Sequence, residues 1–196
     1  MKNKVFASLI AAFAFLIFGH ISTVAQANKT IVLVRHAEAG GPHPGSSDIE
    51  RELTEGGVQD AEAAGRWLHE LGMGIDEVLC SASTRTQQTA EAMWSGGCAE
   101  ADVHIERALY NASADSILDV VRGADQDANV VMVIGHAPGV PALTSLLADG
   151  QGSDEAHEAL AAGFPTCGIA MLRFSGHWAD LEAGGAVLDR FHVARA

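Results

Sequence analysis

The sequence predicts an α/β fold, a three-layer sandwich whose mainly parallel central sheet is flanked by helices on both faces. Three observations carry this. Runs of β-branched and leucine residues, such as Ile31-Val32-Leu33-Val34 and Val130-Val131-Met132-Val133-Ile134, alternate with segments whose apolar residues recur at spacings of three and four. Each of three such runs passes directly into a basic, helix-starting stretch, and right-handed crossovers bring the carboxyl ends of parallel strands to one edge of a sheet. Finally, 196 residues, 48% hydrophobic and only 19% charged, suit one buried core better than two.

Residues 1–27 stand apart from that core. Lys2 and Lys4 precede the apolar run Val5 to Phe18, and Ala25-Gln26-Ala27 forms a small-x-small cleavage site before Asn28. This is the pattern of a secretory signal peptide. The alternative, an uncleaved membrane anchor, needs about 20 apolar residues, more than this run holds. The expectation is therefore an exported protein, periplasmic or secreted, with no stable membrane insertion after cleavage and a single domain at 28–196.

Within that domain, Ile31 to Val34 is the first strand, and Ala39 to Ser47 a Gly/Pro/Ser loop containing His43. Thr54 can cap a helix in which Val58, Ala61, Gly65, Leu68 and Gly72 mark one packed face, with Gly72-Met73-Gly74 ending it. Asp76 to Ser81 reads as a short strand, and Ser83 or Thr84 as the N-cap of a second helix closed by Gly96-Gly97. Val103 to Tyr110 suggests a brief strand and a turn. Ser113 then caps a helix carrying Ile117, Leu118, Val120 and Val121. The Val130–Ile134 strand ends in Gly135-His136-Ala137-Pro138-Gly139, followed by a helix through Leu143, Leu146 and Leu147. Asp149 to Gly163, rich in Gly and acids, reads as a mobile excursion with a short helical piece. Gly168 to Phe174 and Ala186 to Val193 are the final strands, and there are no internal repeats.

Loss of Lys2 and Lys4 from the 12 Lys+Arg leaves ten against 25 Asp+Glu, a formal charge of −15 for residues 28–196. So negative a surface repels nucleic acid and anionic lipid, so an anionic ligand must be held by a local cluster of cations. Cys80, Cys98 and Cys167 fit no zinc spacing, and leave open one disulfide plus a free thiol or three buried apolar cysteines. His43, His69, His104, His157, His177 and His192 also lack metal-ligand spacing.

The three junctions bring together Arg35, His36, Arg85 and His136, with Arg51 as a fifth member. Guanidiniums donate paired hydrogen bonds to phosphate oxygens, and a helix amino end at Arg85 adds backbone N–H groups. Arg85 as a mere cap would oppose the helix dipole unless an anion were bound there. A neutral imidazole in such a pocket can attack phosphorus, with the cations stabilising the equatorial oxygens.

These residues resemble the motifs of the histidine phosphatase superfamily. Arg35-His36-Ala37-Glu38 is similar to its Arg-His-Gly motif, with Ala37 where glycine is usual. Arg51-Glu52-Leu53-Thr54, the stretch from Ser81 to Ala90, and Gly135-His136-Ala137-Pro138-Gly139 are similar to its later blocks, in order. The resemblance spans roughly residues 30 to 193 and is nearest to the short branch that includes the phosphohistidine phosphatases. It implies that His36 is the nucleophile, that Arg35, Arg51 and Arg85 bind the phosphoryl group, and that His136 donates a hydrogen bond to it. It implies a small phosphorylated substrate or phosphoprotein as partner, and no metal or organic cofactor.

One position departs from the pattern. Where many members place a Glu or Asp general acid, this chain has Asn111, which cannot protonate a leaving group, a contribution worth about 10²–10⁴ in rate. Either Glu106 serves instead, or the leaving group needs little help, as in a phosphoramidate or aryl phosphate. Glu38 and Asp48 are near enough in sequence to orient Arg35 or Arg51. Two other readings stay open: a non-catalytic phospho-ligand binding module of the same fold, and a phosphoglycerate mutase, which would need a retained acid and a cytosolic substrate.

Overall fold

A computed structural model describes residues 28–42 and 44–196, so the predicted leader and His43 lie outside the described residues. Seven strands form one sheet: β1 (Asn28–Arg35), β2 (Glu77–Ser81), β3 (Asp102–Glu106), β4 (Val130–Gly135), β5 (Ala148–Gly152), β6 (Gly168–Ser175) and β7 (Ala186–Val193), in the order β3-β2-β4-β1-β6-β7-β5. The first four in that order run parallel. β6 is antiparallel to both its neighbours, and β5 pairs parallel with β7. The helices are α1 (Glu55–Glu70), α2 (Thr84–Ser95), α3 (Ala114–Arg122), α4 (Gly139–Leu147) and α5 (Asp154–Ala162).

Strand periodicity divides the core into two layers. Ile31, Leu33, Leu79, Val131 and Val133 pack with Ile117, Leu118 and Val121 of α3 and Leu143 and Leu147 of α4. Val32, Val34, Val78, Met132 and Ile134 face the other way, onto Ala61, Ala64 and Leu68 of α1 and Ala90 and Met93 of α2. The three-layer α/β sandwich follows. Each buried Val, Leu or Ile contributes about 1.5–3 kcal/mol relative to exposure, so the central strands, buried on both faces, make a rigid base for the loops at their ends.

Local signals place those loops. The Thr54 side chain accepts from Gly57 N at 3.0 Å and that of Ser113 from Ser116 N at 3.2 Å, which starts α1 and α3 where the sequence puts them. The predicted α1 face is corrected at both ends. A Cβ on Gly57 would come within 2.1 Å of the Glu38 carbonyl oxygen, so the first turn packs through Gly57 onto the loop that follows β1 and Val58 faces outward. Gly72 lies past the helix end in a left-handed turn, φ +65°.

The predicted mobile excursion is also corrected, since Asp149 to Gly163 forms most of β5 and all of α5. Ser153 caps α5, accepting from Ala156 N at 3.1 Å. The three cysteines are free and buried, which settles the open choice in favour of apolar core residues. Burial pushes the Cys80 and Cys167 thiols up to about 12, leaving them protonated and inert.

Candidate active site

β2, β4 and β1 are neighbours, so their carboxyl ends deliver Ser81, His136 and His36 to one edge. His36 lies one residue past β1, its backbone N–H donating to the Gly135 carbonyl at 3.0 Å. The Cys167 N–H reaches the carbonyls of both Arg35 and His36 at 3.1 Å, holding the loop from the other side. Ala37 is buried outside the left-handed region, so its methyl group is accommodated where glycine is usual. Its N–H donates to Thr89 Oγ1 at 3.1 Å, and that hydroxyl donates to the Arg85 carbonyl at 2.6 Å, tying the His36 loop to α2.

The two imidazoles are 5.2 Å apart, centroid to centroid. His36 Nδ1 is 2.7 Å from the Ala37 carbonyl oxygen. A carbonyl only accepts, so Nδ1 carries the hydrogen and Nε2 holds the free lone pair. His136 Nε2 is 2.8 Å from the Ser81 hydroxyl, while its Nδ1 is buried without a partner. Burial, then the nearby arginines, lowers His36 to about 4, against an opposing pull from the Ala37 hydrogen bond. Burial, then Arg85 and His36, lowers His136 to about 3. Both rings are neutral at pH 7.

The arginines are held by carbonyls and one carboxylate. Arg35 Nη1 donates to the Phe164 carbonyl at 2.8 Å. Arg85, in the first turn of α2, donates to the Asp48 carbonyl at 2.7 Å and to its Oδ2 at 3.1 Å. Arg51 donates to the Gly40 carbonyl at 2.8 Å and to Asp48 Oδ1 at 3.1 Å. The Tyr110 hydroxyl donates to Asp48 Oδ2 at 2.7 Å. That bond, followed by those from the arginines, lowers the Asp48 carboxyl to about 2. Asp48 is therefore the anion that offsets Arg85 at its helix amino end.

Among the described residues, four buried side-chain nitrogens lack a hydrogen-bond partner, and three belong to Arg35 (Nε), Arg85 (Nε) and His136 (Nδ1). An unsatisfied buried group costs about 1–3 kcal/mol, more when charged. Their concentration in one cluster marks a seat for an anion.

The structure thus brings together Arg35, His36, Arg51, Arg85 and His136. It does not bring Glu106 into the cluster: Glu106 pairs in register with Ser81, but among the described residues it makes no hydrogen bond or ion pair with any of the five. Asn111 is exposed in the left-handed region, φ +54°, where Asn is favoured over Glu. Glu38 bonds Thr54 Oγ1 at 3.2 Å rather than Arg35, whereas Asp48 does orient Arg51. Among the described residues no group of three or more His, Cys, Asp or Glu could hold a metal. Sequence reasoning missed the roles of Ser81, Thr89 and Tyr110. Only Ser81 left a signal, as the last residue of its strand ahead of the Arg85 helix.

A neutral imidazole with a fixed lone pair, beside a second imidazole and three guanidiniums, is equipped to receive a phosphoryl group and stabilise its charge. Comparison with known proteins points the same way. Residues 31–117 match the family described as the histidine phosphatase superfamily, branch 1. An uncharacterized protein of Mycobacterium tuberculosis strain H37Rv is 37% identical over 163 residues, covering 83% of this chain and all of that one. The structure of a candidate phosphohistidine phosphatase, SixA, from Nakamurella multipartitia is 36% identical with a TM-score of 0.75, over 86% of this chain and 98% of that chain. A second candidate SixA, from Agrobacterium tumefaciens, is 29% identical with a TM-score of 0.70, over 84% and 97%.

Proposed function

The chain belongs to the histidine phosphatase superfamily and is a phosphatase of its short, SixA-like branch, and from this premise we propose that it hydrolyses phosphomonoesters or phosphoramidates, without a metal, through a covalent phosphohistidine on His36. The hydrogen bond from His36 Nδ1 to the Ala37 carbonyl carries the reading, because it leaves the Nε2 lone pair free to act as the nucleophile. Nε2 attacks phosphorus as the bond to the leaving oxygen or nitrogen breaks. Water then attacks the phosphohistidine, releasing phosphate and restoring the imidazole. Arg35, Arg51, Arg85 and His136 stabilise the equatorial oxygens in both steps.

Among the described residues no carboxyl group bonds the five site residues in a protonated form, and this supports a substrate class. Asp48, the carboxylate that bonds the arginines, is ionised at neutral pH, and Asn111 has no proton to give. Aryl oxides, which leave as stable anions, and phosphoramidate nitrogens, which are basic enough to take their proton from solvent before leaving, are favoured over alkoxides. The leader pattern of residues 1–27 supports an exported, scavenging or envelope phosphatase. Its test is the amino-terminal sequence of the mature protein, which should begin at Asn28.

The mechanism is tested by rapid quench with an aryl phosphate, with and without a chelator. The expected result is a chelator-insensitive phosphoenzyme, stable to base and labile to acid, with the label on His36. A labelled residue other than His36 would overturn the assignment. Binding of phosphate with no turnover of any aryl phosphate or phosphoramidate would favour the binding-module reading instead.

A further inference from the structure

Beside the phosphoryl site lies a cleft of about 390 Å³ lined by Ile49, Ala82, Arg107 and Tyr110. Its walls are continuous with the site. Ile49 follows Asp48, Ala82 follows Ser81, and the Tyr110 ring meets the His136 ring edge-on at 5.5 Å and the Arg85 guanidinium at 5.8 Å. The His136 ring touches both the nucleophile His36 and Tyr110. In-line displacement sends the leaving group away from the attacking nitrogen, and a cleft flanking the site on its Tyr110 side can receive it.

The lining says what kind of group fits. Ile49, Ala82 and the Tyr110 ring offer flat apolar surface, with Arg107 as the charged member. Arg51, Arg85, Arg122, Arg173 and Arg195 each pair with an aspartate. Arg107 is exposed and, like Arg35, Arg66 and Arg190, is in no ion pair among the described residues; of these four it is the one on the wall of this cleft. A guanidinium left unpaired in so acidic a chain, on the wall of a cleft, is available to a ligand's anion.

We infer that this cleft is the leaving-group subsite and that it selects a flat, ring-like leaving group bearing its own anionic substituent, held by Arg107. The inference rests on the phosphoryl site proposed above and adds a substrate class to it.

The test separates binding from turnover. His36→Ala protein is titrated calorimetrically with phenyl phosphate and with 4-carboxyphenyl phosphate, alone and with Arg107→Ala added. The carboxylated ligand should bind about five- to tenfold more tightly. Arg107→Ala should abolish that preference while leaving phenyl phosphate binding unchanged, and Arg107→Lys should restore part of it. Equal affinities for the two ligands, or a preference that survives Arg107→Ala, would overturn the inference and leave Arg107 a solvated surface residue. Turnover by the wild type is measured on the same pair. A binding preference without turnover upholds the subsite while refuting the hydrolytic reading, and turnover without a preference does the reverse.

Discussion

β1 and β4 lie side by side in parallel, and each presents an imidazole one residue beyond the pair Arg35↔Gly135. Two nearly equivalent backbone positions thus carry the same side chain, yet the rings have different partners. His36 faces a carbonyl, which can only accept. His136 faces the Ser81 hydroxyl, which can donate or accept, so its proton can sit on either nitrogen. When Ser81 donates, the buried Nδ1–H of His136 is left as a free donor for a phosphoryl oxygen. The partner, rather than the position or the residue type, separates the proposed nucleophile from the proposed donor.

The largest test of this asymmetry is His36→Ala, expected to reduce aryl phosphate turnover by about 10⁴-fold or more and to abolish the phosphoenzyme. His136→Ala should cost about 10²–10³-fold in kcat while a phosphoenzyme can still be trapped. Loss of the trapped species in both variants would erase the distinction. Ser81→Ala should cost about tenfold, acting through the orientation of His136, with Ser81→Thr recovering most of it. An unchanged rate in Ser81→Ala would show that the hydroxyl does not set the ring.

The smallest effect concerns pH. In phosphate-free protein the His36 ring should titrate near 4 by NMR rather than near 6.5. Because both imidazoles have folded values below their unfolded ones, the unfolded chain takes up protons first as pH falls. The stability that these two groups contribute is therefore full above about 6.5 and erodes as pH drops from there toward about 3, the value of His136. A His36 midpoint near 6.5 would mean that burial and the arginines do not govern its protonation.

Much of this arrangement is legible from local pattern. The apolar runs of β1 and β4 are strong because both faces are buried, and Thr54 and Ser113 announce their helices by chemistry that acts within three residues. β5 is not legible, because Ala148-Asp149-Gly150-Gln151-Gly152 has no strand propensity of its own. It is a strand because β7 offers an edge: a Cβ on Gly152 would come within 2.2 Å of the Leu188 carbonyl oxygen, so only glycine fits that approach. The site divides in the same way. Arg35, His36, Arg85 and His136 stand in recognisable motifs, whereas the Asp48 bridge depends on Tyr110, 62 residues away, and on side-chain directions that no spacing reveals.

β1, the strand of the proposed nucleophile, is the first of the described strands in the chain, yet its contacts come from segments late in the sequence. β1 sits between β4 and β6, while Arg35 and the His36 loop are gripped by the Phe164 carbonyl and the Cys167 amide. A chain ending at residue 163 contains every histidine and arginine proposed for the chemistry, but lacks the Phe164 carbonyl and the Cys167 amide, two of the groups that hold Arg35 and the His36 loop. Truncated chains of that length are therefore expected to carry these side chains without the contacts that complete their loop, so that the order of synthesis would delay a working enzyme.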